Sequence, residues 1–120
     1  MRGAQYLTKS IQYGLVYRNG STRVSDLVVM RALPNELEFS RYGFSVSRRV
    51  GKAVVRNRVK RLLREIMSKV SLRAGWDIVL LARQPAARAD YATLENKVED
   101  LLRQAGLMLG KYEKTCAKIN

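Results

Sequence analysis

The fold is decided by one stretch, residues 53–70, which reads AVVRNRVKRLLREIMSKV. On a helical wheel, one set of apolar side chains in this stretch falls within about 100° of arc. The set comprises Val55, Val59, Leu62, Leu63, Ile66 and Val70. This spacing predicts a long amphipathic helix from about Ala53 to Val70, with the apolar stripe packed against a core.

The stretches on either side of this helix predict strands. Residues 41–47 alternate strictly, with Tyr42, Phe44 and Val46 on one side, which is typical of a half-buried strand. Residues 76–82 form the most apolar strand-length run, so we expect them to be the central strand of the sheet.

Turn and capping signals delimit the other elements. The elements so delimited are a helix ending at Asn19-Gly20, a possible short strand at 22–25, a strand at 26–33, and a helix from an Asp90 cap to about Ala105. The order α-β-β-(β)-α-β-α predicts an α+β protein, a two-layer α/β sandwich in which helices pack against a small mixed sheet.

Length and composition limit the kind of protein this is. The chain has 120 residues, of which 47% are hydrophobic, so we expect one domain over residues 1–120. Its 23 Lys and Arg residues outnumber 10 Asp and Glu residues, and the net charge of +13 favours a polyanionic partner. The sequence contains neither a long apolar run nor an apolar N-terminal signal. We therefore expect a cytoplasmic protein with no membrane partner.

The sequence offers little for protein-based catalysis. It contains no histidine and a single cysteine, Cys116, so an internal disulfide and a cysteine-rich metal site are both excluded. We interpret Cys116 as an incidental thiol near the chain end. The acidic residues are scattered, and those between Asp90 and Asp100 follow a helical spacing. We therefore expect no catalytic residues and no metal site in the protein itself.

The positive charge is concentrated around the predicted long helix. Residues 48–69 contain nine basic residues and a single acid, Glu65. The side chains opposite the apolar stripe are Arg56, Asn57, Lys60, Arg61 and Arg64, with Arg58 on the flank. A face that only meets solvent usually alternates in sign, whereas Arg56, Lys60 and Arg64 form a like-charge column. We interpret the face as an RNA- or DNA-binding surface, and the alternative is a solvated charged face.

The same region carries a family resemblance. Residues 43–65, GFSVSRRVGKAVVRNRVKRLLRE, closely resemble the signature of the bacterial ribonuclease P protein component. Weaker similarity extends upstream through residues 13–20, YGLVYRNG, and downstream through residues 77–86, DIVLLARQPA. The resemblance covers about residues 7–106, which leaves 107–120 as a basic tail.

The resemblance implies a subunit of an RNA-based endonuclease that removes the 5′ leader from precursor tRNA. The catalytic RNA, with Mg²⁺ held by the RNA and the substrate, would perform the hydrolysis. The residues implied to contact this RNA are Arg48, Arg49, Lys52, Arg56, Asn57, Arg58, Lys60, Arg61 and Arg64. Asn57 either holds backbone geometry or bridges a hydrated metal, or it makes only a local helix contact. The resemblance also implies a left-handed crossover around the basic helix, against the usual right-handed preference.

The first predicted helix has two interpretations. Tyr13 and Tyr17 either pack in the core or, as the resemblance implies, line a cleft where the bases of the leader stack on aromatic rings. Phe44 we assign to the core rather than to the cleft. The sequence departs from the family pattern at Asp26, where the family is commonly basic, and at Arg31, where it is often aromatic. Arg31 could replace stacking by pairing with a leader phosphate.

Three other functions compete with this one. The main alternative is a ribosomal-protein-like structural RNA-binding module, because composition and the basic helix fit it equally well. A second is a small nuclease that cleaves RNA by itself, without a catalytic RNA subunit. A DNA-binding protein is disfavoured, because the sequence shows neither dimerising heptads nor helix-turn-helix spacing.

Overall fold

The computed structural model describes residues 4–111, which form three helices, seven strands and two 3₁₀ turns. In chain order these are β1 (Ala4–Tyr6), α1 (Ser10–Asn19), β2 (Ser21–Val24), β3 (Val28–Pro34), β4 (Ser40–Ser45), the first 3₁₀ turn (Arg48–Val50), α2 (Ala53–Ser68), β5 (Val70–Leu72), β6 (Trp76–Ala82), the second 3₁₀ turn (Gln84–Arg88), α3 (Tyr91–Gln104) and β7 (Met108–Lys111).

Five of the strands form a mixed sheet in the order β1-β4-β6-β3-β2. The prediction that residues 76–82 are the central strand is confirmed, because β6 lies between β4 and β3. β4 is parallel to both of its neighbours, β1 and β6, whereas β6, β3 and β2 pair antiparallel. The predicted α+β class with a small mixed sheet is confirmed. The crossover from β4 to β6 passes through α2, and its left-handedness stays a prediction.

The helices cover both faces of this sheet. Side chains alternate along β6, so Ile78 and Leu80 join the main core beneath α2 and α3. Val79 points the other way and forms a smaller cluster with Leu7 and with Val16 of α1. α1 therefore lies on the face opposite α2.

The amphipathic pattern of α2 is confirmed in its centre. Val59, Leu63 and Ile66 are fully buried. The predicted end at Val70 is wrong, because the helix stops at Ser68 and Val70 begins β5. Val70 is buried nonetheless, because its side chain joins the main core. Among the described residues, no helix is long and apolar enough to cross a membrane.

Three short strands were not predicted, and one of them corrects the assignment of residues 107–120 to a tail. Residues 108–111 form β7, where the Lys111 ammonium lies 3.1 Å from a Glu95 carboxylate oxygen and 3.0 Å from one of Glu99. The long-range pairs with β5 and α3 order this segment, and a local pattern does not reveal such pairs. Residues 112–120, including Cys116, lie outside the described part of the chain.

Most local signals mark real boundaries. Asp90 caps α3, because its carboxylate accepts a hydrogen bond from the Thr93 amide at 2.8 Å. The predicted strand at 22–25 is β2. The strand predicted over 26–33 begins only at Val28, because the Ser25 hydroxyl oxygen accepts from the amides of Leu27 and Val28 and holds a turn there.

A buried ion pair fastens β4 to β6. Arg41 donates two hydrogen bonds to the Asp77 carboxylate, at 2.8 and 2.6 Å, and the Asn35 amide adds a third at 2.8 Å. Asp77 is only 4% exposed. The pair holds the pKa of Arg41 above its usual value, chiefly through the hydrogen bond.

We predict that Asp77→Ala lowers the free energy of unfolding by about 3 kcal/mol, because it leaves the half-buried Arg41 guanidinium without its carboxylate partner. Urea denaturation measures the change. The matched control is Asp100→Ala, because Asp100 forms a solvent-exposed ion pair with Arg103 at 3.6 Å and should change stability by less than about 1 kcal/mol. Equal changes in the two variants would contradict a structural role for the Arg41–Asp77 pair.

Candidate nucleic-acid interface

The outward-facing basic residues of α2 and of the segment before it, together with Asn57, are here called the cationic face. Its members are Arg48, Arg49, Lys52, Arg56, Asn57, Lys60, Arg61 and Arg64. Asn57, Arg61 and Arg64 are exposed, whereas Arg56 and Lys60 are half-buried. The only acid of α2, Glu65, lies 3.9 Å from Lys69, whose ammonium also lies 4.9 Å from the centre of the Tyr91 ring. Within residues 4–111, the column of Arg56, Lys60 and Arg64 has no carboxylate paired to it.

Arg58 differs from the other predicted contacts because the fold already uses its guanidinium. It donates to the carbonyl oxygens of Ala87 and Ala89, at 3.3 and 2.9 Å. These bonds fasten the second 3₁₀ turn to α2. RNA contact by Arg58 stays a prediction, and a substitution there would also loosen the turn.

A cavity of about 380 Å³ adjoins the cationic face, and we call it the edge cavity. It is lined by Tyr6, Leu7, Tyr13, Gly43, Phe44, Lys60 and Arg64. The fold thus brings Tyr13 of α1 together with Lys60 and Arg64 of α2, although these helices lie on opposite faces of the sheet. Phe44 both packs against the main core and lines the cavity, so its assignment to the core alone is wrong.

Tyr13 is placed in the edge cavity by a close approach to Gly43. A Cβ atom at position 43 would overlap the Tyr13 hydroxyl oxygen, so only glycine leaves room for the ring there. Burial and the neighbouring Tyr17 raise the pKa of Tyr13, and a hydrogen bond from the Phe44 backbone amide partly offsets the rise. The Tyr13 phenol therefore stays neutral at physiological pH.

The other two tyrosines near the edge cavity are more exposed. The Tyr17 ring lies 6.3 Å from the Tyr13 ring and is 39% exposed, but it is not part of the cavity wall. Tyr6 is 46% exposed and does line the cavity, with its ring edge-on to Tyr42 at 5.0 Å. Sequence reasoning missed Tyr6 because β1 has only three residues and depends on pairing with β4.

Arg31 lies at the C-terminus of α1 rather than in the edge cavity. Its guanidinium donates to the carbonyl oxygens of Val16, Tyr17 and Gly20 and to the Thr22 hydroxyl. It therefore satisfies helix-end carbonyls and sits at the negative end of the helix dipole. Arg31 fixes the position of α1, and its contact with the leader stays a prediction.

Comparison with known proteins identifies the family. The sequence model of the Ribonuclease P family matches residues 1–106. The ribonuclease P protein component of Dehalococcoides mccartyi is 45% identical over 118 residues, which is 98% of both chains. The counterpart from Caldanaerobacter subterraneus subsp. tengcongensis is 45% identical over 103 residues, 84% of this chain and 89% of that protein. The chain belongs to the ribonuclease P protein family.

Solved structures of the family share the fold. The ribonuclease P protein from Thermotoga maritima superimposes with a TM-score of 0.76 at 30% identity, over 82% of this chain and 96% of that one. A Staphylococcus aureus ribonuclease P protein mutant has the same TM-score at 28% identity, over 85% and 88% of the two chains. As a ribonuclease P protein, the chain is a subunit of the endoribonuclease that matures tRNA 5′ ends. In that enzyme it associates with the ribonuclease P RNA.

We predict that Gly43→Ala displaces the Tyr13 ring without unfolding the protein, because the hydroxyl lies at the end of a side chain that can swing away. The pKa of Tyr13 should then fall toward that of an exposed tyrosine, since burial is the main cause of its rise. NMR titration of ¹³C-labelled tyrosine measures this value. Gly110→Ala is the control, because a Cβ there meets nothing within 4 Å. An unchanged Tyr13 pKa in Gly43→Ala would contradict the close approach.

Proposed function

We propose that this protein binds the catalytic RNA of ribonuclease P through the cationic face and the 5′ leader of precursor tRNA in the edge cavity. The observation that carries the proposal is the meeting of unpaired cations and aromatic rings in one cavity. Lys60 and Arg64 offer charge to phosphates, while Tyr6 and Tyr13 offer ring faces to bases.

The cationic face supports binding to a folded RNA rather than a solvated surface. Three like charges spaced one turn apart repel each other, and the single acid on α2 is engaged by Lys69. An RNA backbone relieves this repulsion and releases its condensed counterions when Lys and Arg neutralise phosphates. Five of the cations are arginines, whose planar forks suit phosphate better than lysine does.

The edge cavity supports binding of a single strand. A cavity of about 380 Å³ admits individual unstacked bases but not a double helix. Sequence-tolerant stacking on tyrosine suits a leader whose sequence differs from one precursor tRNA to another. The leader is single-stranded, so its bases are available for such contacts.

Hydrolysis in this proposal belongs to the catalytic RNA, with Mg²⁺ held by the RNA and the substrate. Three protein carboxylates are committed to structure, because Asp77 pairs with Arg41, Glu99 lies against Lys111, and Asp90 caps α3. Within residues 4–111, no group of three or more His, Cys, Asp or Glu side chains converges for a metal ion. The protein binds and positions RNA, and we place it in the cytoplasm with its tRNA substrates.

The first test removes charge from the cationic face. Arg61→Ala and Arg64→Ala together should weaken binding of the catalytic RNA and flatten the salt dependence by about 0.7–0.9 log units per log salt for each lost phosphate contact. Arg23→Ala is the control, because Arg23 is an exposed arginine on the distant edge strand β2. Filter binding across a salt series measures both quantities, and a slope equal to the control would rule out this face.

The second test separates leader binding from assembly. Tyr13→Ala and Tyr6→Ala should each reduce holoenzyme affinity for precursor tRNA about tenfold and leave mature tRNA unaffected, because stacking contributes about 1–3 kcal/mol per base. Tyr17→Ala should have a smaller effect, because Tyr17 lies outside the cavity wall.

Phe substitutions at the two cavity tyrosines provide the matched control for this test, since they keep the rings and should keep the affinity. Thermal melts accompany each variant. Equal losses for precursor and mature tRNA, together with a lowered melting temperature, would assign the tyrosines to the core instead.

A further inference from the structure

A second concave site lies near the N-terminus of α2, between the two 3₁₀ turns. This groove has a volume of about 490 Å³ and is lined by Val50, Gln84, Pro85, Ala87 and Arg88. The turns follow directly after β4 and β6, so the groove lies beyond the carboxyl ends of these two parallel strands. Val50 is 5% exposed, so the floor of the groove belongs to the core.

The second 3₁₀ turn is held in place from several sides. Arg58 of α2 binds the carbonyl oxygens of Ala87 and Ala89, and Ala86 is fully buried. At the start of the turn, Arg83 donates through its guanidinium to the Ser25 carbonyl oxygen at 2.9 Å. The groove is therefore preformed, and ligand binding does not incur the free-energy cost of ordering it.

The charge around the groove is positive and uncompensated. Arg48 and Arg49 belong to the same 3₁₀ turn as Val50, and Arg88 lines the groove directly. These three arginines are exposed, and within residues 4–111 none of them has an ion pair or side-chain hydrogen bond. Asp90, the acid that follows the turn, accepts from the Thr93 amide.

We propose that this groove binds one unstacked nucleotide of the ribonuclease P RNA. The base packs on the apolar surface of Val50, Pro85 and Ala87. The Gln84 amide, which both donates and accepts, bonds the polar edge of the base, and the Arg88 guanidinium binds a flanking phosphate. The groove is continuous with the cationic face through Arg48 and Arg49, so the proposal rests on RNA binding by that face.

A direct test titrates the protein with the four nucleoside monophosphates and, separately, with inorganic phosphate. We expect millimolar nucleotide to shift the backbone amides of Val50, Gln84 and Ala87 in ¹H–¹⁵N spectra, and Gln84→Ala with Arg88→Ala to abolish these shifts. Phosphate alone should perturb only the arginines. The same amide shifts with phosphate alone, or nucleotide shifts confined to the edge cavity, would overturn the proposal.

A second test measures assembly of the holoenzyme from the protein and the catalytic RNA. Arg88→Ala should weaken binding of the catalytic RNA about tenfold and Gln84→Ala about fivefold, because a charged hydrogen bond contributes more than a neutral one. Arg88→Lys should recover the salt dependence but only part of the affinity. Arg23→Ala again controls for the loss of one charge.

The preference for precursor over mature tRNA should stay unchanged in the groove variants, because the groove is separate from the edge cavity. If Arg61→Ala with Arg64→Ala weakens RNA binding and the groove variants do not, the groove proposal fails alone. If neither set weakens binding, RNA binding by the cationic face fails as well.

Discussion

The structure depends on the two opposed faces of α2. One face buries Val59, Leu63 and Ile66 completely, and each such side chain contributes about 1.5–3 kcal/mol. The other face repeats like charges at helical spacing, which costs only a few tenths of a kcal/mol per pair. Burial outweighs this repulsion several-fold, so α2 is stable although, within residues 4–111, Arg56, Lys60 and Arg64 have no carboxylate partner.

Arginine serves two purposes in this protein. Arg31 binds the C-terminal carbonyls of α1, Arg58 binds those of the second 3₁₀ turn, and Arg41 of β4 pairs with Asp77 of β6. These three fasten elements that line the edge cavity and the groove, whereas Arg61 and Arg64 stay unpaired at the surface. The net charge therefore exceeds the number of cations available to a partner. The internal contacts of Arg31, Arg41 and Arg58 hold the walls of the edge cavity and the groove in place, so both sites are preformed.

The sequence predicts those elements whose signals are local. α2, β6 and the Asp90 cap of α3 follow from periodicity, an apolar run and a capping residue. β1, β5 and β7 have three or four residues each and exist through distant pairs, such as Tyr6 with Tyr42 and Val70 with Lys111. Missing β1 meant missing Tyr6. The residue types at the candidate site, basic and aromatic, were predictable from the sequence. No sequence pattern could show that Arg31 caps a helix, or that Phe44 both packs against the core and lines the edge cavity.

Both concave sites arise where regular pairing stops. β1 accompanies β4 as far as Tyr42, and the Leu7 amide makes the last bond to it before the chain turns away toward α1. In the described part of the chain, the outer edge of β4 at Gly43 and Phe44 is therefore left to the phenol of Tyr13, and the edge cavity opens there. Just beyond the C-termini of β4 and β6, the strands give way to the two 3₁₀ turns and their groove. In the proposed complex, phosphate contacts along α2 supply affinity without sequence information, and single nucleotides bound in these two recesses fix the register of the RNA.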